Sequence, residues 1–167
     1  MRLQLEQAIR ARWTHLIHEE WTRNILKNHP DSQPEQWQQI VQLMNRHAGD
    51  ALVTGFEPLI KGLQLPDPND RHVLAAAIHA RASAIITINL KDFPVSILEP
   101  LGIRVVHPDD FLLEVIESNL EAVLMALRKQ RLQLKKPPVT ASEFLGFFAK
   151  HNLPHSGAKL MNHISEI

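Results

Sequence analysis

The chain has 167 residues, 44% of them apolar, with 18 basic against 18 acidic side chains, a pI near 7.2 and no cysteine. That is enough for one domain with a real core and a small appendage, while the balanced charge argues against a generic polyanion binder and makes any nucleic-acid contact local. The lack of cysteine excludes disulfides and thiolate metal sites and fits a reducing cytoplasm. No segment approaches the roughly 20 apolar residues of a membrane span.

In chain order, residues 2–28 carry apolar side chains at helical spacing, with Trp13, Leu16, Ile17, Trp21 and Ile25 on the pattern, and Pro30 stops the helix. Pro34 suits a first helical position, and Trp37, Ile40, Val41 and Met44 form one face of a second helix that ends before Gly49. Residues 51–54 read as a short strand, and 60–65 is ambiguous between helix and strand. Asp67 is placed as an N-cap and Pro68 in the first turn of a helix over about 73–80, where Ala76, Ala77 and Ala80 give a small face for packing on a sheet.

Residues 84–88 are a β-branched run expected to form a strand buried on both faces of a parallel sheet, followed by a loop over 89–94. A second short strand at 103–106 leads through His107, Pro108, Asp109 and Asp110 into a helix over about 109–116. Alternating strands and helices of this kind imply an α/β domain. The remainder reads as helical: an amphipathic helix carrying Leu120, Val123, Leu124, Leu127 and Leu134, a hinge at 135–138, a Thr140–Glu143 capping box before Phe144, Leu145, Phe147 and Phe148, and a last helix over about 156–164. The division expected is a domain over 1–116 and a C-terminal helical extension over 117–167.

Ligands in open parallel sheets bind beyond the carboxyl ends of the strands. Asp67 and Asp70 open the helix that precedes the 84–88 strand, and Asn89 and Asp92 leave its end. Short oxygen-bearing side chains there suit Mg²⁺ or Mn²⁺, and carboxylates around such an ion can activate water against a phosphodiester. The structural reading of the same residues is an N-cap at Asp67, a dipole-favoured acid at Asp70 and a turn residue at Asp92.

Residues 65–77 (LPDPNDRHVLAAA) followed by 86–94 (ITINLKDFP) resemble the second half of a PIN domain, most strongly the branch found as toxins of toxin–antitoxin modules. Residues 102–112 resemble that branch's final strand and helix, and 13–21 its early glutamate-bearing helix, so the likeness covers most of 10–116. It implies a three-layer α/β/α fold with a parallel sheet and an endoribonuclease using Mg²⁺ or Mn²⁺ held by acidic residues. Carried over by motif, Glu20 (with Glu19 as the alternative), Asp70 and Asp92 become the catalytic acids and, with Asn89, the metal ligands. Thr87 and Asp67 become substrate-positioning groups. RNA as substrate, an antitoxin as partner, a homo-oligomer and a cytoplasmic location follow from the same resemblance. The family opens with a strand ending in an aspartate, and Met1 falls inside its first helical region. That strand and aspartate are therefore expected to be absent, leaving weak or no nuclease activity. The alternative is a catalytically impaired module that binds an antitoxin or itself.

Other signals carry less. His15, His18 and Glu19 share a helical turn but lack the order of zinc peptidases, so satisfied or surface histidines are expected. Arg128, Lys129 and Arg131, with Lys135 and Lys136, are a candidate RNA-docking run or a solvated helix face. The phenylalanine cluster reads as core, and Trp13, Trp21 and Trp37 as packing under the sheet.

Overall fold

The structure, a computed structural model, describes residues 9–135 and 137–167. They form two compact units: one of Arg10–Ile85 with Asn89–Val105, the other including Ile86–Ile88 and Val106–Ile167.

The first unit opens with helix α1, His15–Asn28, whose start is set by Thr14: its buried hydroxyl accepts from Ile17 N at 3.1 Å. The helix expected from residue 2 therefore begins later in the described chain. Trp13 is held extended instead, its N–H donating to Ala51 O and its carbonyl accepting from Val53 N. The strand expected at 51–54 is reduced to this single parallel bridge at Leu52. Residues 2–8 of the expected helix lie outside the described residues.

Helix α2, Pro34–His47, lies against α1 across a polar–aromatic network. Trp21 Nε1 donates to His18 Nδ1 (3.0 Å), which makes Nε2 the protonated nitrogen; it meets Asn45 Oδ1 at 3.2 Å. Trp13 Nε1 donates to the same oxygen (2.7 Å), and Trp21 packs edge-on to Trp37 with centroids 6.3 Å apart. The tryptophans thus cluster with His18 between these helices, not beneath the sheet. They do so because partly buried indole N–H groups need acceptors: Asn45 serves Trp13, His18 serves Trp21 and Ser32 serves Trp37. Asn45→Ala removes one acceptor from two donors and is expected to cost about 2 kcal/mol, lowering Tm by roughly 4–8 °C in a melt followed by tryptophan fluorescence.

A short helix α3, Glu57–Ile60, occupies the ambiguous stretch. Then α4, Arg71–His79, runs through the middle of this unit. Leu74 and Ala77 pack with Leu65, Ile85, Phe93 and Leu98, while Ala75 and Ala76 pack with Val53 and Phe56. Small side chains let one helix be buried on two sides at once.

Strand β1, Ala84–Ile86, pairs with β2, Arg104–Val106. Arg104 N donates to Ser83 O and Thr87 N to Val106 O, so sequence numbers rise together and the pair is parallel. Between the strands stand the short helix α5, Val95–Leu98, and a 3-10 turn ended by Gly102 in the left-handed region at φ 69°. The expectation of a strand buried on both faces fails here. Ile85 is buried, but Ile86 is 40% and Ile88 65% exposed, because the sheet among the described residues has two strands and covers one face.

In the second unit, α6 (Pro108–Ser118), α7 (Leu120–Gln133), α8 (Ala141–Lys150) and α9 (Pro154–Met161) surround a core of Val115, Ile116, Val123, Leu124, Phe144, Leu145 and Leu160. The Thr140–Glu143 capping box forms in both directions. Phe144 is buried and Phe148 packs on the core, but Phe147 is exposed with Lys150 over its ring. Gly157 faces α8 so closely that an added Cβ would lie 3.0 Å from Phe148 Cβ. Gly157→Ala should therefore destabilise by about 1 kcal/mol, overpacking outweighing the gain in helix propensity, as read by urea midpoint.

Asp109, in the first turn of α6, is 2% exposed. Its carboxylate accepts from the His155 and Ser156 amides (2.9 and 2.8 Å) and from the Ser156 hydroxyl. Among the described residues no helix is long and apolar enough to cross a membrane.

Candidate functional site

The acidic residues singled out in the sequence fall at the start of α4 and around it. Asp67 accepts from Asn69 N at 2.8 Å and so starts the 3-10 turn Pro68–Asp70 that feeds α4. This is the N-cap role expected of it. Asp70 holds the N-cap position of α4 itself, yet its side chain makes no capping bond. A carboxylate at that place normally accepts from the first free amides, and this one does not, so the helix dipole alone is left to the structural reading of Asp70.

Glu20 comes from α1, and its Oε2 lies 3.4 Å from His72 Nε2 at the first turn of α4. Glu19 is exposed, while Glu20 is partly buried. Asp92 ends the 3-10 turn Leu90–Asp92, anchored by buried Phe93, and the Asn89 amide donates to Asp92 Oδ2.

These carboxylates share one field. Burial raises the Asp70 pKa to about 6, and repulsion from Asp67, Glu20 and Asp92, in that order, adds to it. Glu20, Asp67 and Asp92 thus each lie within electrostatic reach of Asp70, all in the first unit. For His72, burial pushes the imidazole pKa down against the pull of Glu20.

The other candidates belong to the second unit. Thr87 follows β1 with its amide on Val106 O. On α7, Arg128 and Lys129 are exposed. Arg131 is committed within the fold, Nε to Ile167 O (2.9 Å) and Nη1 to Val139 O (3.1 Å).

The donor set suits a hard divalent cation in kind: all oxygen, all anionic, and repelling one another enough to perturb Asp70. Among the described residues, however, no three His, Asp or Glu side chains are gathered as a ready-made ligand set. The arrangement is an electrostatic basin with its carboxylates still spread. Sequence reasoning misses the Glu20–His72 contact. It joins two helices far apart in the chain, and helical spacing on either one carries no signal for it.

An α/β domain with a small parallel sheet and an acidic basin at a helix start is what the fold and the site define. The profile described as PIN domain matches residues 1–91, more than half of the chain, and the chain belongs to the PIN-domain family. A second profile, described as VapC50 C-terminal domain, matches residues 108–162. A Mycobacterium tuberculosis (strain ATCC 25618 / H37Rv) protein named "Putative ribonuclease VapC50" is 37% identical over 109 residues, which is 65% of this chain and 63% of that relative. The chain thus matches less than two thirds of that relative's length. No solved structure matches.

Proposed function

We propose that this chain is a divalent-metal-dependent endoribonuclease of toxin type, cutting RNA phosphodiesters with Mg²⁺ or Mn²⁺ held at Glu20, Asp70 and Asp92 beside Asn89. The observation that carries the reading is Asp70: placed to cap α4 but not capping it, with three other carboxylates crowding it. The similarity to a protein named as a ribonuclease points the same way. A bound ion would supply Lewis-acid stabilisation of the phosphate and a more acidic water. The chain's own part is to hold the carboxylates. Asp67 fixes the turn that presents Asp70. Asn89 orients Asp92 by donating to its Oδ2, and by motif Thr87 is the candidate for positioning water or phosphate.

RNA docking falls to Arg128 and Lys129, with Arg131 bracing their helix. In this reading the PIN-like part occupies 1–116 and the helical extension 117–167. An antitoxin partner, self-association and a cytoplasmic setting complete it.

A second reading has its own support. With no ready-made trio of ligands among the described residues, the chain would be a catalytically impaired module that binds an antitoxin or itself. Purified protein incubated with labelled RNA in Mn²⁺ separates the two. Cleavage that EDTA and Asp70→Asn both remove supports the nuclease. Intact RNA beside intact Mn²⁺ binding supports the module.

A further inference from the structure

His72 is the group the proposed chemistry does not use, and its surroundings are unusual. Its side chain is 13% exposed. Nε2 faces Glu20 Oε2 at 3.4 Å, while Nδ1 is buried with no hydrogen-bond partner among the described residues. His15 and Glu20 are the titratable groups that act on it, both from α1. An imidazole has one proton to place when neutral. If it sits on Nε2 it points at Glu20, and Nδ1 is left as a bare acceptor, the less costly of the two atoms to bury unpaired. The opposite tautomer would bury an unpaired N–H and set a lone pair against a carboxylate. Geometry therefore selects the Nε2–H form, which donates to Glu20.

The consequence reaches Asp70. Glu20 stands on α1 and Asp70 at the start of α4, and their charges repel. A glutamate on a helix surface has three side-chain torsions to spend on avoiding its neighbours. His72 stands two residues after Asp70, on the same helix start, and reaches across to that carboxylate. It joins the α1 acid to the first turn of α4, two residues from Asp70.

We propose that His72 is a positioning residue: it donates from Nε2 to Glu20 and holds that carboxylate facing Asp70, so that both can serve one divalent cation. This rests on the reading of the acidic basin as a cation site. Partners that orient metal-binding side chains change affinity by about 10–100-fold when removed, and a loss in that range is expected here.

The test is Mn²⁺ affinity of the full chain, by isothermal titration or by the loss of the free-ion EPR signal, in wild type, His72→Phe, His72→Gln, Glu20→Gln and the Glu20→Gln/His72→Phe double variant. The expected pattern is strong loss in His72→Phe, near-wild-type affinity in His72→Gln, whose amide can still donate, and no further loss when His72→Phe is added to Glu20→Gln. Unchanged affinity in His72→Phe alongside loss in Glu20→Gln overturns the positioning role and leaves the cation site standing. Equal loss in the Phe and Gln variants, or additive loss in the double variant, overturns it too, since neither requires donation to Glu20. A wild-type chain that binds no Mn²⁺ removes the cation site and the positioning role together.

Discussion

Asp70→Asn is expected to lower RNA cleavage by at least about 100-fold, consistent with loss of a metal ligand or an electrostatic stabiliser, and to make the protein more stable at neutral pH. The two effects have one cause. The Asp70 carboxyl holds its proton up to about pH 6 in the folded chain against 3.8 ordinarily, because burial and then Asp67, Glu20 and Asp92 oppose its charge. The native state therefore binds more protons than the unfolded state between those values. Its stability is full below about pH 4, falls as pH rises toward 6, and stays reduced above that. A neutral asparagine removes the repulsion. Solvent screening at this half-exposed group trims the gain to about 1 kcal/mol at pH 7, or 2–4 °C in Tm, and the gain should vanish near pH 4. Mn²⁺ should invert the ranking by raising the Tm of the wild type more than that of the variant. Melts at pH 4 and 7, with and without Mn²⁺, check all of this. An Asp70→Asn chain less stable than wild type at pH 7 would show that the carboxylate is structural.

How much of this was readable beforehand follows from which interactions are local. Asp67 at the head of α4, the capping box at Thr140 and Glu143, and the stop at Pro30 rest on bonds spanning a few residues, and the structure forms each where the spacing places it. Of the acids, Glu20, Asp67 and Asp92 each repel Asp70, but among the described residues no three are gathered as a ligand set. Non-local features behaved differently. Trp13 fits a helical pattern but is drawn into a bridge with residue 52 by backbone bonds. The run at 84–88 has the composition of a fully covered strand, yet coverage depends on neighbours that composition cannot count, and Ile88 stands 65% exposed. The imidazoles show the same divide. A satisfied or surface role is expected for His18; it is the satisfied one, with its partners Trp21 and Asn45 on different helices. His72 meets Glu20 of another helix, a pairing that spacing along either helix does not encode.

The largest loss of stability is expected at Asp109, a residue the sequence offers merely as one of two acids opening a helix. Helix α9 begins with Leu153 at its cap and has no side-chain cap of its own. Its first amides, on His155 and Ser156, are satisfied by Asp109 from α6. The Ser156 hydroxyl bonds both the Asp109 side chain and its carbonyl, and His155 Nδ1 lies 3.3 Å from Asp109 Oδ2. Burial alone would raise this carboxyl's pKa. The hydrogen bonds from Ser156 and then His155 outweigh it and hold the group below the usual carboxylate range. Asp109→Ala leaves the Ser156 and His155 amides at the start of α9 without their acceptor, while the Ser156 hydroxyl keeps the backbone carbonyl of residue 109, and should cost about 3 kcal/mol, roughly 6–12 °C in Tm. Asp109→Asn keeps one acceptor but turns an NH₂ toward an amide, and should cost about half as much. A depressed folded-state pKa gives stability that is present above the ordinary value of 3.8 and lost as pH falls through the folded one. The gap between wild type and Asp109→Ala should therefore be constant from pH 5 to 8 and close only in strong acid. Hydrogen exchange offers the more local check, because the amides of 155 and 156 should lose protection first. An alanine variant that melts within a degree of wild type at pH 7 would mean that water replaces the carboxylate at no cost, and α9 would then owe its position to Leu160 and the close approach of Gly157 to Phe148 alone.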